Sequence, residues 1–178
     1  MLHTGGVKQI HLLVLCLVPT LWVGCTKTAP PPPAAAEWDG HMPTRAQHKL
    51  QTLKLYVGPE ILDAELALTD EQEQTGMMFR TNILDTDAML FDLHAPVQAS
   101  FWMTNCPESI SAAYIQPDGI IAEIHHLEKN DATPVLSATD NIMFVLETSE
   151  GWFTRHNVTT NMVVRTERGT LAATFKGH

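Results

Sequence analysis

Ala112-Ala113-Tyr114-Ile115-Gln116-Pro117-Asp118-Gly119-Ile120-Ile121-Ala122-Glu123-Ile124-His125-His126-Leu127 is the stretch that decides the fold. Two apolar runs, Ala112–Gln116 and Ile120–Leu127, flank Pro117-Asp118-Gly119. Proline presets the φ of a turn and glycine takes the positive φ that a tight reversal needs, so the stretch predicts a β-hairpin. On its N-terminal side, Leu53, Leu55 and Val57 alternate with polar residues up to Gly58-Pro59, and Leu62, Ala64, Leu66 and Leu68 follow. Period-two alternation of this kind predicts two half-buried strands. Ala88–Leu93 and Ala99–Met103 read as short apolar strands. On the C-terminal side Ile142–Glu147 reads as another strand, Gly151-Trp152 opens a helical or turn segment through His156, and Met162–Thr166 is expected to pair with Leu171–Phe175 around Arg168-Gly169. Thr69-Asp70-Glu71-Gln72 has capping-box spacing, Glu71 and Glu73 suit a helix N-terminus, and Gly76 suits its end. Many short strands with one or two short helices predict a mainly β domain, a compact β-sandwich or barrel.

The chain has 178 residues and a formal charge of −9. The charge is unevenly placed: residues 1–49 carry four basic and two acidic side chains, and residues 50–178 carry seven basic and eighteen acidic. A domain at −11 repels phosphate backbones, which argues against a nucleic-acid partner. Of the three cysteines, Cys16 and Cys25 lie near the N-terminus and Cys106 stands alone in the domain. No disulfide within the domain is available, and residues 50–178 are enough for one core without a staple.

The N-terminus reads as an export signal, residues 1–24. Lys8 precedes an apolar stretch from Leu12 to Gly24, and its thirteen residues are too few to span a ~30 Å hydrocarbon core at ~1.5 Å per residue. Val23-Gly24-Cys25 resembles a bacterial lipoprotein signal, with a small residue before the cysteine and Trp22 where leucine is usual. The resemblance implies lipidation of Cys25, and Thr26 after it implies sorting to the outer membrane, with the domain in the periplasm. The alternative is simple cleavage of the leader. Residues 25–49 contain Pro30-Pro31-Pro32-Pro33 and Ala34-Ala35-Ala36, a stiff polyproline-type stalk. Fully extended at ~3.1 Å per residue, Thr26–Lys49 reaches roughly 70 Å.

Several blocks in the domain line up in order: Gly76-Met77-Met78-Phe79-Arg80, Met89-Leu90-Phe91, Phe101-Trp102-Met103-Thr104-Asn105, Asp118-Gly119-Ile120-Ile121 with Glu123-Ile124-His125, and Val145-Leu146-Glu147 with Gly151-Trp152. Over roughly Leu55 to Thr166 the chain resembles the prokaryotic family called domain of unknown function 192. The resemblance implies a compact β-rich fold and no assigned activity. The chain departs from the family pattern at Ala88, usually glycine, at Thr104, usually lysine, at Cys106, usually threonine, and at Ser109-Ile110-Ser111, usually Pro-Leu-Asp.

Arg80, Trp102, Asn105, His125 and Glu147 are the polar or amphipathic residues of these blocks, and they are the ligand-binding candidates. A ring for stacking, an amide for orientation and a guanidinium for an anionic group together make a plausible ligand platform. Each also has an architectural reading, with Arg80 closing a helix end, Trp102 filling the core and Asn105 forming a turn. The expected function is an envelope lipoprotein carrying a binding module for a small molecule or envelope component. One alternative is an envelope hydrolase with His125 and Glu147 as acid and base. Another is a metal-handling lipoprotein, since Glu123 and His125 share a strand face and Met77, Met78, Met89, Met103 and Cys106 are soft donors. No spacing typical of a metal or cofactor site is present, so neither is assigned, and Cys106 reads as a buried thiol.

Overall fold

The computed structural model describes residues 40–176. The leader, Cys25 and the proline run lie outside the described residues. Ten strands follow one another as β1 (Thr52–Val57), β2 (Glu60–Ala67), β3 (Ala88–Val97), β4 (Ser100–Phe101), β5 (Ile110–Ile115), β6 (Ile121–Leu127), β7 (Val135–Leu136), β8 (Ile142–Ser149), β9 (Val164–Thr166) and β10 (Gly169–Thr170). Three short helices are interleaved: α1 (Asp70–Thr75), α2 (Trp152–Arg155) and α3 (Leu171–Thr174). Among the described residues no helix is long and apolar enough to cross a membrane.

Eight strands form one sheet in the order β10-β9-β1-β2-β3-β8-β5-β6, and β4 and β7 form a small second sheet. All pairings are antiparallel except β2 with β3, which run parallel with α1 in the connection between them. The large sheet curls until its ends meet. Ile120 bridges Val163, the Ile121 N–H donates to Met162 O at 2.9 Å, and the Val164 N–H donates to Gly119 O at 2.8 Å. The architecture is therefore a half-barrel joined at one end, the barrel alternative of the two expected.

The predicted hairpin forms this join. The Gly119 N–H closes the turn on Gln116 O at 2.9 Å, and Asp118 Oδ1 accepts the Ile120 N–H at 3.1 Å. Gly119 has φ +89°, and a Cβ there would stand 2.5 Å from Val164 O. Only glycine lets the backbone of β9 come this close.

Alternation along β3, β5 and β8 divides the core in two. Ala88, Leu90, Ala113, Ile115, Phe144 and Leu146 face the barrel interior with Leu55, Val57, Trp152 and Phe153. Met89, Phe91, Ala112, Tyr114 and Val145 face outward, yet they are buried too, beneath Met77, Met78, Ala99, Met103 and Cys106. Strands covered on both faces read as continuous apolar runs, which is why these three were plain in the sequence. The outer layer consists of α1, its following loop and the β4–β7 segment, held partly by the Tyr114 hydroxyl donating to Val135 O at 2.7 Å.

α1 starts where its capping pattern placed it. Thr69 Oγ1 accepts the Gln72 N–H, although the Gln72 side chain reaches back to the Leu68 N–H rather than to Thr69. Two expectations need correction. Leu171–Phe175 is a helical turn, not a strand. The Thr170 side chain caps it by accepting the Ala173 N–H, and Leu171 and Phe175, four apart, reach the core together. Of Ala99–Met103 only Ser100–Phe101 is strand, and its partner β7 was not anticipated. Upstream, Gln47 donates through Nε2 to Gly76 O at 2.9 Å and the Leu50 N–H donates to Glu65 Oε2 at 2.7 Å, so the chain before β1 is fastened to the domain.

Candidate functional site

One transverse rung of the outer face carries most of the buried charge. In register across the sheet stand Glu65 on β2, Met89 on β3, Glu147 on β8, Ala112 on β5 and His125 on β6. Glu65 is satisfied. Arg80, placed by the loop after α1, donates to both its oxygens, at 2.7 and 2.9 Å, and the Leu50 N–H adds a third bond. Burial would raise the Glu65 carboxyl, but the Arg80 contact and the Leu50 N–H overrule it and hold it below its ordinary value.

Glu147 has no such company. It is 5% exposed, and its Oε2 has no hydrogen-bond partner among the described residues. Burial pushes its carboxyl up to about 8, against a lowering pull from the Arg80 charge. A carboxyl held in this way is largely protonated at neutral pH, because an unpaired buried carboxylate is the costlier state.

Glu147 lines a cavity of about 330 Å³ between the sheet and the outer layer. Met77, Met78, Phe91 and Phe101 contribute apolar walls, with Phe91 and Phe101 packed edge to face at 5.1 Å, and Trp102, 37% exposed, lies at the solvent side. Glu73 and Asp70 of α1 supply two further carboxyls, and among the described residues no cationic side chain lines the cavity. Burial pushes Glu73 up to about 7; His94, whose Nε2 is 3.3 Å from Glu73 Oε1, pulls it down, and Asp70 and Asp92 push it further up. Cys106 also lines the cavity, and burial together with the Glu147 charge pushes its thiol up to about 12. A thiol so raised stays protonated and is a poor nucleophile.

The five candidate residues therefore separate. Trp102 and Glu147 share the cavity. Arg80 is committed to Glu65. Asn105 acts through its backbone, with φ +61° and its carbonyl accepting the Phe79 N–H at 2.8 Å, which is the turn role. His125 lies two strands from Glu147, about 10 Å at ordinary strand spacing. Its Nε2 is 2.8 Å from Glu123 Oε2 and its ring packs on Tyr114 at 4.7 Å. The acid–base pair of the hydrolase alternative is thus split between two environments. Glu123 and His125 do meet as the strand face implied, but among the described residues no group of three or more His, Cys, Asp or Glu is placed to hold a metal.

Sequence reading missed Glu73, Phe91 and Phe101 as cavity residues. Glu73 was absorbed by its role in the first turn of α1, and the two phenylalanines by the apolar runs around them. The available signal was Glu147 itself, a lone carboxyl in the run Ile142-Met143-Phe144-Val145-Leu146. A second depression near Trp152 is less open chemically, since its polar groups answer one another. His156 stacks on Trp152 at 4.5 Å, with Nδ1 3.5 Å from Glu60 Oε1 and Nε2 3.3 Å from Asp85 Oδ2. Asp85 also pairs with Arg155 and accepts from the Ser149 hydroxyl, and these bonds hold its carboxyl well below the usual range.

No curated protein matches the chain. Among solved structures, a protein of unknown function from Novosphingobium aromaticivorans DSM 12444 is similar at 28% identity and TM-score 0.62, over 65% of this chain and 86% of that one. A protein from Sinorhizobium meliloti 1021, described as a candidate transcription regulator, is similar in fold at 24% identity and TM-score 0.60, over 65% of this chain and 92% of that one. The model of the DUF192 family, described as Uncharacterized ACR, matches residues 54–166. With β2 to β9 and every sequence block of the family inside that span, the chain belongs to the DUF192 family.

Proposed function

We propose that this protein is an exported, lipid-anchored binding module that holds a small molecule of the cell envelope in the cavity between Glu147 and Trp102. The observation that carries the reading is the buried Glu147 Oε2, which lacks a hydrogen-bond partner among the described residues and borders an open, aromatic-walled space. Buried polar groups are ordinarily satisfied, and one left open beside a cavity is where a ligand donor fits. A volume of about 330 Å³ lies within the range of small-molecule sites. The leader, Cys25 and the stalk support placement at the outer membrane, with the module reaching into the periplasm.

Benzyl alcohol, an aromatic ring with one O–H donor, is the first probe. Titrated into the full-length chain, it is expected to give saturable NMR shifts at the Trp102 indole N–H and at the Met77 and Met78 methyl groups. Shifts scattered over the surface would remove the reading. Radiolabelled palmitate is expected to enter the wild-type protein and not Cys25→Ser. Equal labelling would leave secretion without an anchor.

A further inference from the structure

We infer that the ligand of this cavity is an organic ammonium: a primary amine in its cationic form, carried on an apolar body, with the nitrogen donating to Glu147. The inference rests on the binding-module reading above and adds the chemical class. Three independent features point to it.

The first is the acceptor. Among the described residues Glu147 Oε2 is buried without a partner at the cavity wall, and an N–H donor satisfies it. The second is the balance of the lining. Asp70, Glu73 and Glu147 contribute carboxyls, no lining side chain among the described residues is cationic, and Arg80, the cation whose charge reaches Glu147, is already engaged at both ends by Glu65. An anionic ligand would add an unpaired charge here, whereas a cation is paired by the carboxylate that forms when the Glu147 proton leaves. The third is the walls. Phe91, Phe101 and Trp102 offer faces that attract a cation and bury its hydrocarbon part, and a domain at −11 draws cations toward it from a distance.

The exchange balances in protons. In the empty site the Glu147 carboxyl keeps its proton. When R–NH3+ enters, that proton leaves to solvent and the site holds a carboxylate–ammonium pair, so net charge in the site is unchanged. Several groups bear on this equilibrium. Arg80, Cys106 and Tyr114 interact with Glu147, and His94, Asp70 and Asp92 with Glu73, which is the second carboxyl able to release a proton. Both carboxyls lie above their ordinary values in the empty protein, so affinity for the ammonium must rise with pH through that window. A linked proton changes the binding constant by up to about tenfold per pH unit.

The test compares benzylammonium, benzyl alcohol and benzoate on the full-length chain, read at the Trp102 indole N–H assigned with Trp102→Phe. Benzylammonium is expected to bind at least about tenfold more tightly than benzyl alcohol, and benzoate more weakly than either. Its affinity is expected to rise at least fivefold from about pH 6 to about pH 8, with proton release seen as a dependence of the binding heat on buffer. Glu147→Gln keeps the shape and removes the charge, so it should abolish the preference of the site for benzylammonium over benzyl alcohol. Equal binding of ammonium and alcohol, or a preference that persists in Glu147→Gln, would overturn the ammonium class and leave the binding module standing. Absence of any saturable shift from all three probes at about 10 mM would overturn the binding module as well.

Discussion

A carboxyl flanked by Leu146 and Thr148 in a strand buried on both faces has to be neutralised or paired. Glu147 is neutralised by its own proton, and stability should report this. Its native value, about 8, lies above that of the unfolded chain. The native state therefore holds an extra proton between the two values. The contribution is fully present below about pH 4.5 and is lost as pH rises to about 8, at up to about 1.4 kcal/mol per pH unit. Urea unfolding of Glu147→Gln should accordingly show a flatter pH dependence than wild type over that interval, and parallel curves would contradict it. Arg80 is the opposite case, a half-buried charge paired through both terminal nitrogens with the buried Glu65. Arg80→Ala strands Glu65 and is expected to cost about 3 kcal/mol in the same assay. Cys106, raised by burial, should resist iodoacetamide in the folded protein at pH 8 and react on unfolding, as followed by mass spectrometry of its peptide.

At the level of elements, legibility followed length and pattern. β5 and β8 carry apolar runs, and β6 follows the Pro117-Asp118-Gly119 turn, so these strands of six to eight residues were plain. β4 and β7 have two residues each, too few for any period to emerge, and they exist because Tyr114 and the outer core hold them against the sheet. α3 was misread because Leu171-Ala172-Ala173-Thr174-Phe175 suits a strand as an isolated run. The cap at Thr170 and the shared burial of Leu171 and Phe175 decide for a helical turn. The cavity lies between α1 and β4, so it depended on how β4 and its partner β7 are laid against the sheet, which no local pattern gives. Trp102 and Glu147 were found because their chemistry is conspicuous, whereas Glu73 took its meaning from a fold not yet known. The small sheet offers its own check: Tyr114→Phe leaves Val135 O without its donor, and a loss of about 1 kcal/mol is expected on thermal unfolding.

Over the whole molecule, the sheet is held as a half-barrel by a few backbone bonds at one corner. Gly119→Ala forces a side chain onto Val164 O at an unfavourable φ, and a loss of more than about 2 kcal/mol is expected. Hydrogen exchange should localise the damage, with the Ile121 and Val164 amides exchanging faster first, since both donate across the join. Uniform acceleration would mean that the corner is not a separate unit. The rung from Glu65 through Met89, Glu147 and Ala112 to His125 also limits how this chain can change over generations. Because side chains alternate along a strand, inserting or deleting one codon inside β8 would send Glu147 into the barrel among Phe144 and Leu146's neighbours and bring an apolar residue to the cavity wall. Lineages carrying this fold should accumulate length variation in the segments between strands and keep the residue count of β3, β5 and β8 fixed.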